Sequence, residues 1–321
     1  MKALTFSRFG GPEVLEYLQV PDAVPGPGEL VLATRAIGLN FSDLERRKGT
    51  YPVAGKAPYI AGYEAAGVVV QAPEASGFRV GDRIAVTDVP FTNAELVRVP
   101  LTHAIPLPAE VSFETAASSL LQGLTGQYLV RDSYPLAAGE TVIVHGAAGG
   151  VGQFLTRHAV LLGARVIGLT TADAKRDLIL AQGAAYAWNL RGPWKDQALE
   201  LTGGKGVDVV YDSIGSTLAD SFAATRIGGR VVIYGFAGGP PPLVDPRMLM
   251  DTSKTLTGGD LWGYLTSHGE RVRRADELWR LILSGRLEVV APTVFPLSAG
   301  REAHEFLESG RSAGKVLLVP G

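Results

Sequence analysis

The chain has 321 residues, of which 46% are hydrophobic, 19% charged and 8% aromatic, a mixture typical of a globular protein of about two domains. The 30 basic and 32 acidic side chains leave a formal charge of −2, which argues against a nucleic-acid partner. The chain contains no cysteine, and this excludes disulfide scaffolds, thiolate zinc sites, iron–sulfur clusters and cysteine nucleophiles.

The same composition bears on where the protein acts. A chain without cysteine fits a reducing compartment, and we predict a cytoplasmic protein. The N-terminal residues lack the apolar core of a signal peptide. No run of about 18 apolar residues occurs, so we expect no membrane partner.

Short apolar runs broken by Gly and Pro make up residues 1–110. Glu29–Ile37 alternates between apolar and polar residues as a strand does. Gly81-Asp82 predicts a tight turn between short strands at Phe78–Val80 and Arg83–Val86. These patterns predict a β-rich, barrel-like first domain.

Helices and strands alternate from residue 112 onward. Ser112 is expected to cap a helix that ends at Leu121, and a second helix is expected over Gln122–Arg131. Six strand patterns follow, at Thr141–His145, Arg165–Thr170, Ala185–Trp188, Val207–Asp212, Gly229–Gly235 and Thr255–Thr257. Because parallel strands need long crossovers, this alternation predicts a parallel, doubly wound Rossmann sheet.

The pattern changes again after residue 260. One helix is expected to end at Ser284-Gly285, a second lies between Ser298 and Gly310, and a strand follows at Lys315–Val319. This tail is too short for a domain, so we expect it to complete the first one. The fold class is therefore α/β, a Rossmann domain inserted into a β-rich domain, with expected limits of 1–118 plus 262–321 and 119–261.

A glycine-rich turn joins the first predicted Rossmann strand to its helix. Ala147, Gly149 and Gly152 follow the spacing A-x-G-x-x-G, in which the glycines allow close approach of a pyrophosphate and of the sheet. An ordinary glycine-rich turn is the alternative, but the strand before and the helix after favour a phosphate site. The predicted contacts come from Ala148, Gly149, Gly150 and Val151.

The end of the second Rossmann strand bears on which dinucleotide is bound. An acidic residue there would bind a ribose 2′-hydroxyl and repel a 2′-phosphate. The strand instead ends in Thr170 and Thr171, with no acid before Asp173, and Lys175 and Arg176 follow. Although these cations also suit a solvated helical turn, the pattern favours NADPH over NADH.

Several segments in fixed order carry a family resemblance. They are Gly38–Asp43, Gly49–Pro52, Gly62–Gly67, Val80–Ala85, Leu124-Thr125, Ala147–Gly152, Tyr211–Gly215 and Gly314–Leu318. With them the chain resembles a zinc-independent medium-chain dehydrogenase/reductase of the quinone oxidoreductase (zeta-crystallin-like) group. The resemblance covers nearly the whole chain and implies a split GroES-like catalytic domain and an inserted Rossmann domain. It also implies a homodimer, for which we expect an edge strand near Arg230–Tyr234 to pair across a two-fold axis.

The resemblance also implies site residues. It places Tyr51 near the acceptor, and Asn40 and Thr125 near the nicotinamide and its ribose. It brings Ser213, Gly235 and Phe236 alongside the cofactor. Quinone reductases often have Tyr where this chain has Glu45, which implies a more acidic cleft. They commonly also have a Tyr near the 2′-phosphate, at the position of Leu190 here.

The zinc-containing branch of this family has a Cys shortly before the position of Asp43 and a His before that of Glu64. The neighbours here are Asn40, Phe41 and Ser42 before Asp43, and Tyr63 before Glu64, so we expect no metal. Without a Lewis acid the hydride must go to an activated acceptor. The prediction is metal-free, NADPH-dependent reduction of quinones or α,β-unsaturated carbonyl compounds; an enoyl-thioester reductase and a low-turnover NADPH-binding protein remain alternatives.

Other motifs are weaker. Gly310–Gly314 matches the nucleophile pattern G-x-S-x-G, but the predicted order of helix before strand is the reverse of that elbow. Asp212-Ser213 with a distant His would suggest a hydrolase, whereas the end of a parallel strand favours a cofactor contact for Ser213. The five histidines are scattered, and we expect His145 and the others to be structural.

Overall fold

The computed structural model describes residues 1–321 and divides into two compact units. The first consists of Met1–Leu121 and Leu265–Gly321, and the second is Gln122–Tyr264. The strands are β1 (Lys2–Phe6), β2 (Glu16–Gln19), β3 (Glu29–Leu39), β4 (Tyr59–Ile60), β5 (Glu64–Gln71), β6 (Arg83–Thr87), β7 (Leu96–Pro100), β8 (Ile105–Pro106), β9 (Thr141–Val144), β10 (Arg165–Thr170), β11 (Tyr186–Asn189), β12 (Val207–Asp212), β13 (Thr225–Ile233), β14 (Thr255–Gly258), β15 (Thr293–Pro296) and β16 (Val316–Val319). The α-helices are α1 (Phe41–Lys48), α2 (Phe113–Tyr128), α3 (Gly150–Leu161), α4 (Arg176–Ala181), α5 (Trp194–Leu201), α6 (Leu218–Ala224), α7 (Pro246–Thr252), α8 (His268–Leu283) and α9 (Gly300–Glu308).

The first unit is β-rich, as predicted. A small sheet has the order β2-β1-β4, and a seven-stranded sheet has the order β15-β16-β3-β5-β6-β8, with β7 also paired to β3. The long strand β3 buries Leu30, Val31 and Leu32 completely, and since successive side chains point to opposite faces, both faces of the strand are covered there. The C-terminal strand β16 pairs antiparallel with β3, and Val316 lies opposite Leu39.

The predicted turn at Gly81-Asp82 is present, with Gly81 at φ +96°, but the strand expected before it is absent. Phe78–Val80 does not form a strand. The Asp82 carboxylate accepts a hydrogen bond of 2.7 Å from the Arg79 backbone N–H, so this part of the backbone is satisfied within the turn. The prediction of a strand here was therefore wrong, while β6 begins at Arg83 as expected.

The second unit contains one six-stranded parallel sheet in the order β11-β10-β9-β12-β13-β14. Counted within the unit, this is the order 3-2-1-4-5-6 of a doubly wound dinucleotide-binding sheet. Its central strands bury Ile143, Leu169 and Val210 completely, which explains their continuous apolar runs. The order reverses between β9 and β12, where ligands bind in such sheets.

Two local predictions were wrong. Ser112 caps α2 by accepting a 3.0 Å hydrogen bond from the Thr115 N–H. The helix then continues without a break to Tyr128 and is followed by a short π-helix, Leu129–Ser133. No proline or capping residue interrupts it at Leu121. We also expected Arg230–Tyr234 to form a sheet edge, whereas β13 lies between β12 and β14, and the two edge strands are β14 and β11.

Candidate active site

In the second unit, the turn between β9 and α3 forms a cradle lined by backbone atoms. Gly149 is the N-cap of α3, and its N–H donates 2.8 Å to the carbonyl of Gly146. A Cβ on Gly152 would lie 2.7 Å from the Cα of Ala147, so only glycine lets the helix approach the turn this closely. The amides of a first helical turn have no acceptor within the helix, which makes this turn an anion site.

Ala147 stands where the dinucleotide pattern usually has its first glycine, and the structure shows how its methyl group is accommodated. The residue is completely buried, and its N–H donates 3.0 Å to the carbonyl of Leu169 on β10. Gly168 lies on that same strand, and a Cβ there would be 2.9 Å from the Cβ of Ala147. The glycine that the turn lacks is therefore compensated by a glycine on the neighbouring strand.

A second loop, Ser213–Thr217, follows β12 and is anchored by Asp212. This buried carboxylate accepts hydrogen bonds from the N–H groups of Ile214 (2.8 Å) and Gly215 (3.0 Å) and from the hydroxyls of Thr217 (2.9 Å) and Ser221 (2.7 Å). Burial alone would raise its pKa, but His145 and the hydrogen bonds from Ser221, Gly215 and Ile214 hold the pKa below its ordinary value. The loop is thus fixed by a buried negative charge.

The loops after β9 and β12 meet at the point where the strand order reverses. The N–H of His145 donates 3.0 Å to the carbonyl of Tyr211, and the hydroxyl of Ser213 donates 3.4 Å to the carbonyl of His145. The ring of His145 is completely buried, and burial lowers its pKa. Its Nε2 lies 3.3 Å from the Ser221 hydroxyl. The contacts of His145 are thus internal to the fold: its ring contacts Ser221, and Ser213 bonds its backbone carbonyl. This agrees with the expected structural role.

At the end of β10, the two predicted cations have different surroundings. The Arg176 guanidinium donates a 2.7 Å hydrogen bond to the carbonyl of Ala187 and lies 3.9 Å from Asp173. It therefore links the start of α4 to β11. Lys175 is half-buried, and burial lowers its pKa. Thr170 is buried and Thr171 exposed. Of the two cations, Lys175 is the better candidate for a 2′-phosphate.

The remaining predicted contacts of the second unit have different degrees of exposure. Gly235 directly follows Tyr234 and β13, and a Cβ on it would lie 3.1 Å from the carbonyl oxygen of Ser213. Phe236 is 57% exposed and so does not belong to the core. Thr125 is nearly buried on α2. Leu190, at the position where related reductases commonly have a Tyr, is partly buried and packs against the apolar core of the second unit.

These residues fit a dinucleotide. Gly152 lets α3 pack directly onto the turn, and the N-terminus of that helix offers amides to a pyrophosphate. No carboxylate follows Thr170 directly, where it would repel a 2′-phosphate.

In the first unit, Asn40 belongs to a buried network with Glu64 and Lys315. The Lys315 ammonium lies 2.6 Å from Oε2 of Glu64 and donates 2.7 Å to Oδ1 of Asn40. The Asn40 amide donates 2.9 Å to the same carboxylate oxygen and 3.3 Å to the carbonyl of Gly38. Oε1 of Glu64 accepts 2.8 Å from the Leu121 N–H. Both polar atoms of the Asn40 side chain are thus engaged within the first unit.

The two predicted catalytic residues stand at the two ends of α1. Asn40 is its N-cap, where the N–H donates 2.9 Å to the Asp43 carboxylate. Gly49 ends the helix at φ +81°, and Tyr51 follows with its side chain partly exposed. Its ring lies 4.7 Å from the Arg46 guanidinium carbon. Tyr51 is therefore accessible on one side and covered by a cation on the other.

Glu45, expected to make the cleft acidic, is engaged locally. Its carboxylate accepts 2.6 Å from the Thr50 hydroxyl and lies 3.7 Å from the Lys48 ammonium. Its charge is therefore partly offset within α1.

No group of three or more His, Cys, Asp or Glu side chains in residues 1–321 could hold a metal ion. Gly310–Gly314 follows α9 and precedes β16, so it is a turn and does not have the order of a nucleophile elbow. None of the helices is both long and apolar enough to cross a bilayer.

Sequence reasoning missed Lys315 and Arg46, and it did not give Glu64 and Asp212 their roles. The signal for Asp212 was available, since an acid in the last position of a buried strand can receive the amides of the following loop. Lys315 sits in an apolar strand pattern, Lys315–Val319, and this was a signal that its charge needs a buried partner.

The comparisons with known proteins agree with this architecture. Residues 26–130 match the family model of the alcohol dehydrogenase GroES-like domain, and residues 150–275 match that of the zinc-binding dehydrogenase. A quinone oxidoreductase of Pseudomonas aeruginosa is 38% identical over 99% of both chains. A 2-haloacrylate reductase of Burkholderia is 33% identical over 99% of this chain and 98% of its own.

A solved structure is similar over the full length. The quinone oxidoreductase of Escherichia coli, complexed with NADPH, has a TM-score of 0.96 and 34% identity, and all of both chains is covered. The predicted family and fold class are therefore confirmed. This chain belongs to the quinone oxidoreductase family of the medium-chain dehydrogenase/reductases and is an oxidoreductase.

Proposed function

We propose that this protein transfers a hydride from NADPH to quinones or α,β-unsaturated carbonyl compounds without a metal. One observation carries the proposal: the glycine turn after β9 and the loop that begins at Ser213 are in hydrogen-bond contact where the strand order reverses. In addition, no acid follows Thr170 directly. Lys175 adds a cation at that strand end. The family membership and the solved NADPH complexes of relatives support the same cofactor.

The second unit would hold the cofactor. When bound, NADPH supplies the hydride and the protein supplies position and electrostatics. The α3 amides would bind the pyrophosphate, and Lys175 would bind the 2′-phosphate. The proposed contacts are Thr125, Ala148, Gly149, Gly150, Val151, Thr170, Thr171, Lys175, Ser213, Gly235 and Phe236.

Tyr51 and Asn40 are the proposed catalytic residues of the first unit. Addition of a hydride to a quinone or enone leaves negative charge on the acceptor oxygen, and a fixed donor stabilises that charge. The phenol of Tyr51 is partly exposed and would supply this donor. The Asn40 side chain is held in place by Lys315 and Glu64, and it would orient the nicotinamide.

The proposed chemistry needs no metal. The resemblance implies that zinc-containing relatives have a Cys shortly before the position of Asp43 and a His before that of Glu64, where this chain has Asn40-Phe41-Ser42 and Tyr63. Glu64 is occupied by Lys315 and Asn40, so its carboxylate is already paired with a cation.

An enoyl-thioester reductase is less well supported than a quinone or enone reductase. A coenzyme A or carrier-protein phosphate would need an accessible basic groove. Of the four cations near Tyr51 in the sequence, Arg46 and Arg47 are buried, Lys48 pairs with Glu308 at 2.7 Å, and Lys56 is exposed, so a groove would have few cations to draw on. Activated alkenes remain favoured as acceptors, and the similarity to a 2-haloacrylate reductase supports that part of the proposal.

The test is oxidation of NADPH and NADH against a panel of quinones, enones and enoyl thioesters, with and without a chelator. We expect NADPH to be preferred and quinones or enones to be reduced at unchanged rates in the chelator. Tight NADPH binding without oxidation by any acceptor would instead support a low-turnover binding protein.

We propose a homodimer that pairs through an edge strand of the second unit. Of the two edge strands, β11 and β14, we propose β14, which is the neighbour of β13; unpaired strand edges are natural sites of self-association. Sedimentation equilibrium tests this: a monomeric mass contradicts it. The cytoplasmic location stays a prediction.

A further inference from the structure

Arg46 is a buried cation placed between two aromatic rings. It lies in the last turn of α1 and is only 5% exposed. Its guanidinium carbon is 3.6 Å from the centre of the Tyr63 ring and 4.7 Å from that of the Tyr51 ring. Both distances lie within the range of cation–π attraction. The charge is therefore stabilised by the two rings, and the rings are held by the charge.

Hydrogen bonds fix the guanidinium in this place. Nε donates 3.1 Å to the carbonyl of Pro52, the residue directly after Tyr51. Nη1 donates 3.0 Å to the Ser42 hydroxyl and lies 3.5 Å from the buried Asp43 carboxylate. A planar fork bound on several sides has little freedom to rotate. Arg46 thus ties the helix to the loop that carries Tyr51.

The same loop is held from a second point. The Tyr63 hydroxyl accepts 2.8 Å from the Ala54 N–H, and its side chain is buried beside β5. The loop is thus attached at Pro52 and at Ala54, both just beyond Tyr51. Before Tyr51, the Thr50 N–H donates 3.0 Å to the carbonyl of Glu45. The backbone on both sides of Tyr51 is therefore fixed.

The side chain of Tyr51 itself is partly exposed, and an exposed ring samples several rotamers unless one face is packed. We propose that Arg46 is a positioning residue that fixes the plane of the Tyr51 ring and so the direction of its phenol O–H. This inference rests on the proposed role of Tyr51 as donor to the acceptor oxygen. Hydrogen bonds weaken steeply when the donor is misdirected.

The test is a double-mutant cycle on the full-length protein, with kcat and KM measured for NADPH and for one quinone or enone. Arg46→Met removes the charge and the fork, and Tyr51→Phe removes the donor. We expect Arg46→Met alone to lower kcat about tenfold, since small misplacements of reacting groups have effects of this size or more. The KM for NADPH stays unchanged. In the Tyr51→Phe background, Arg46→Met lowers kcat less than about twofold further.

Two further variants complete the design. Arg35 is exposed on β3, and Arg35→Met serves as the matched control that leaves kcat unchanged. Arg46→Lys keeps the charge but not the planar fork, so it restores part of kcat relative to Arg46→Met. If Arg46→Met does not fold, Arg46→Lys takes its place in the cycle, with a smaller loss of kcat that again disappears in the Tyr51→Phe background.

The outcomes separate the inference from the proposed function. Equal losses of kcat from Arg46→Met in both backgrounds overturn the positioning role, because Arg46 would then act independently of the phenol. A lowered kcat in Tyr51→Phe with an unchanged kcat in Arg46→Met overturns the positioning role alone. An unchanged kcat in Tyr51→Phe overturns the donor role and the inference together.

Discussion

The ion pair between Lys315 and Glu64 permits a quantitative prediction, because neither charge reaches solvent. The side chains are 2% and 0% exposed, and the two charged atoms lie 2.6 Å apart. Lys315→Met removes the ammonium and leaves the carboxylate without its cation in a dry site. Removing one partner of a buried ion pair destabilises a protein by about 3–5 kcal/mol.

This free energy converts into a shift of the thermal midpoint. The first unit has about 180 residues, and a domain of that size loses roughly 2–4 °C for each kcal/mol. Lys315→Met should therefore unfold about 6–20 °C below the wild type. The double variant Glu64→Gln/Lys315→Met removes both charges and keeps an acceptor for the Leu121 N–H, so most of the loss should be recovered.

Circular dichroism during heating is the assay, at a fixed protein concentration and without cofactor, because a bound ligand shifts the midpoint by itself. Lys56 is exposed in the same unit, and Lys56→Met should stay within about 0.5 kcal/mol of the wild type. A Lys315→Met variant as stable as the wild type would refute the reasoning. So would a double variant less stable than Lys315→Met.

Four further predictions concern the cofactor, the acceptor and pH. Lys175→Ala should weaken NADPH binding at least about tenfold and NADH binding hardly at all; equal weakening in fluorescence titrations contradicts the 2′-phosphate role. Tyr51→Phe should lower kcat about a hundredfold without changing the Kd of NADPH, and an unchanged kcat removes the phenol from the mechanism. Burial and Arg47 lower the pKa of His304 to about 3, so only the unfolded chain takes up this proton as pH falls below about 6.5. Stability is then lost as the pH falls from about 6.5 to about 3. In His304→Gln, Tm should therefore fall less steeply with decreasing pH than in the wild type; the same slope of Tm against pH in both proteins would contradict this. Asp212→Asn should weaken NADPH binding about fivefold by loosening the loop after it, and an unchanged Kd in the same titration would mean that the loop holds no cofactor.

Patterns that are local in sequence predicted much of the fold. The six parallel strands follow from apolar runs such as Val207–Asp212, whose observed limits match the predicted ones. The turn at Gly149 and Gly152 follows from spacing, because a strand, two glycines and a helix together leave few other structures. The helix that Ser112 caps also starts where expected, since capping depends on neighbouring residues.

The features that were missed depend on residues far apart in the chain. Lys315 and Glu64 are separated by 251 positions, and no local pattern pairs them. The stacking of Arg46 between two rings needs the loop and β5 to fold back on α1. The edge position of β14 depends on strand order, which the apolar pattern of β13 does not contain.

The central claim is that a bound NADPH gives its hydride to an activated acceptor. The most direct measurement mixes the enzyme–NADPH complex anaerobically with a quinone or an enone and follows the reduced-nicotinamide absorbance through one turnover. Our account predicts loss of one NADPH for each acceptor molecule reduced, in wild type and in the presence of a chelator. Tight NADPH binding with no loss of absorbance for any acceptor would contradict it.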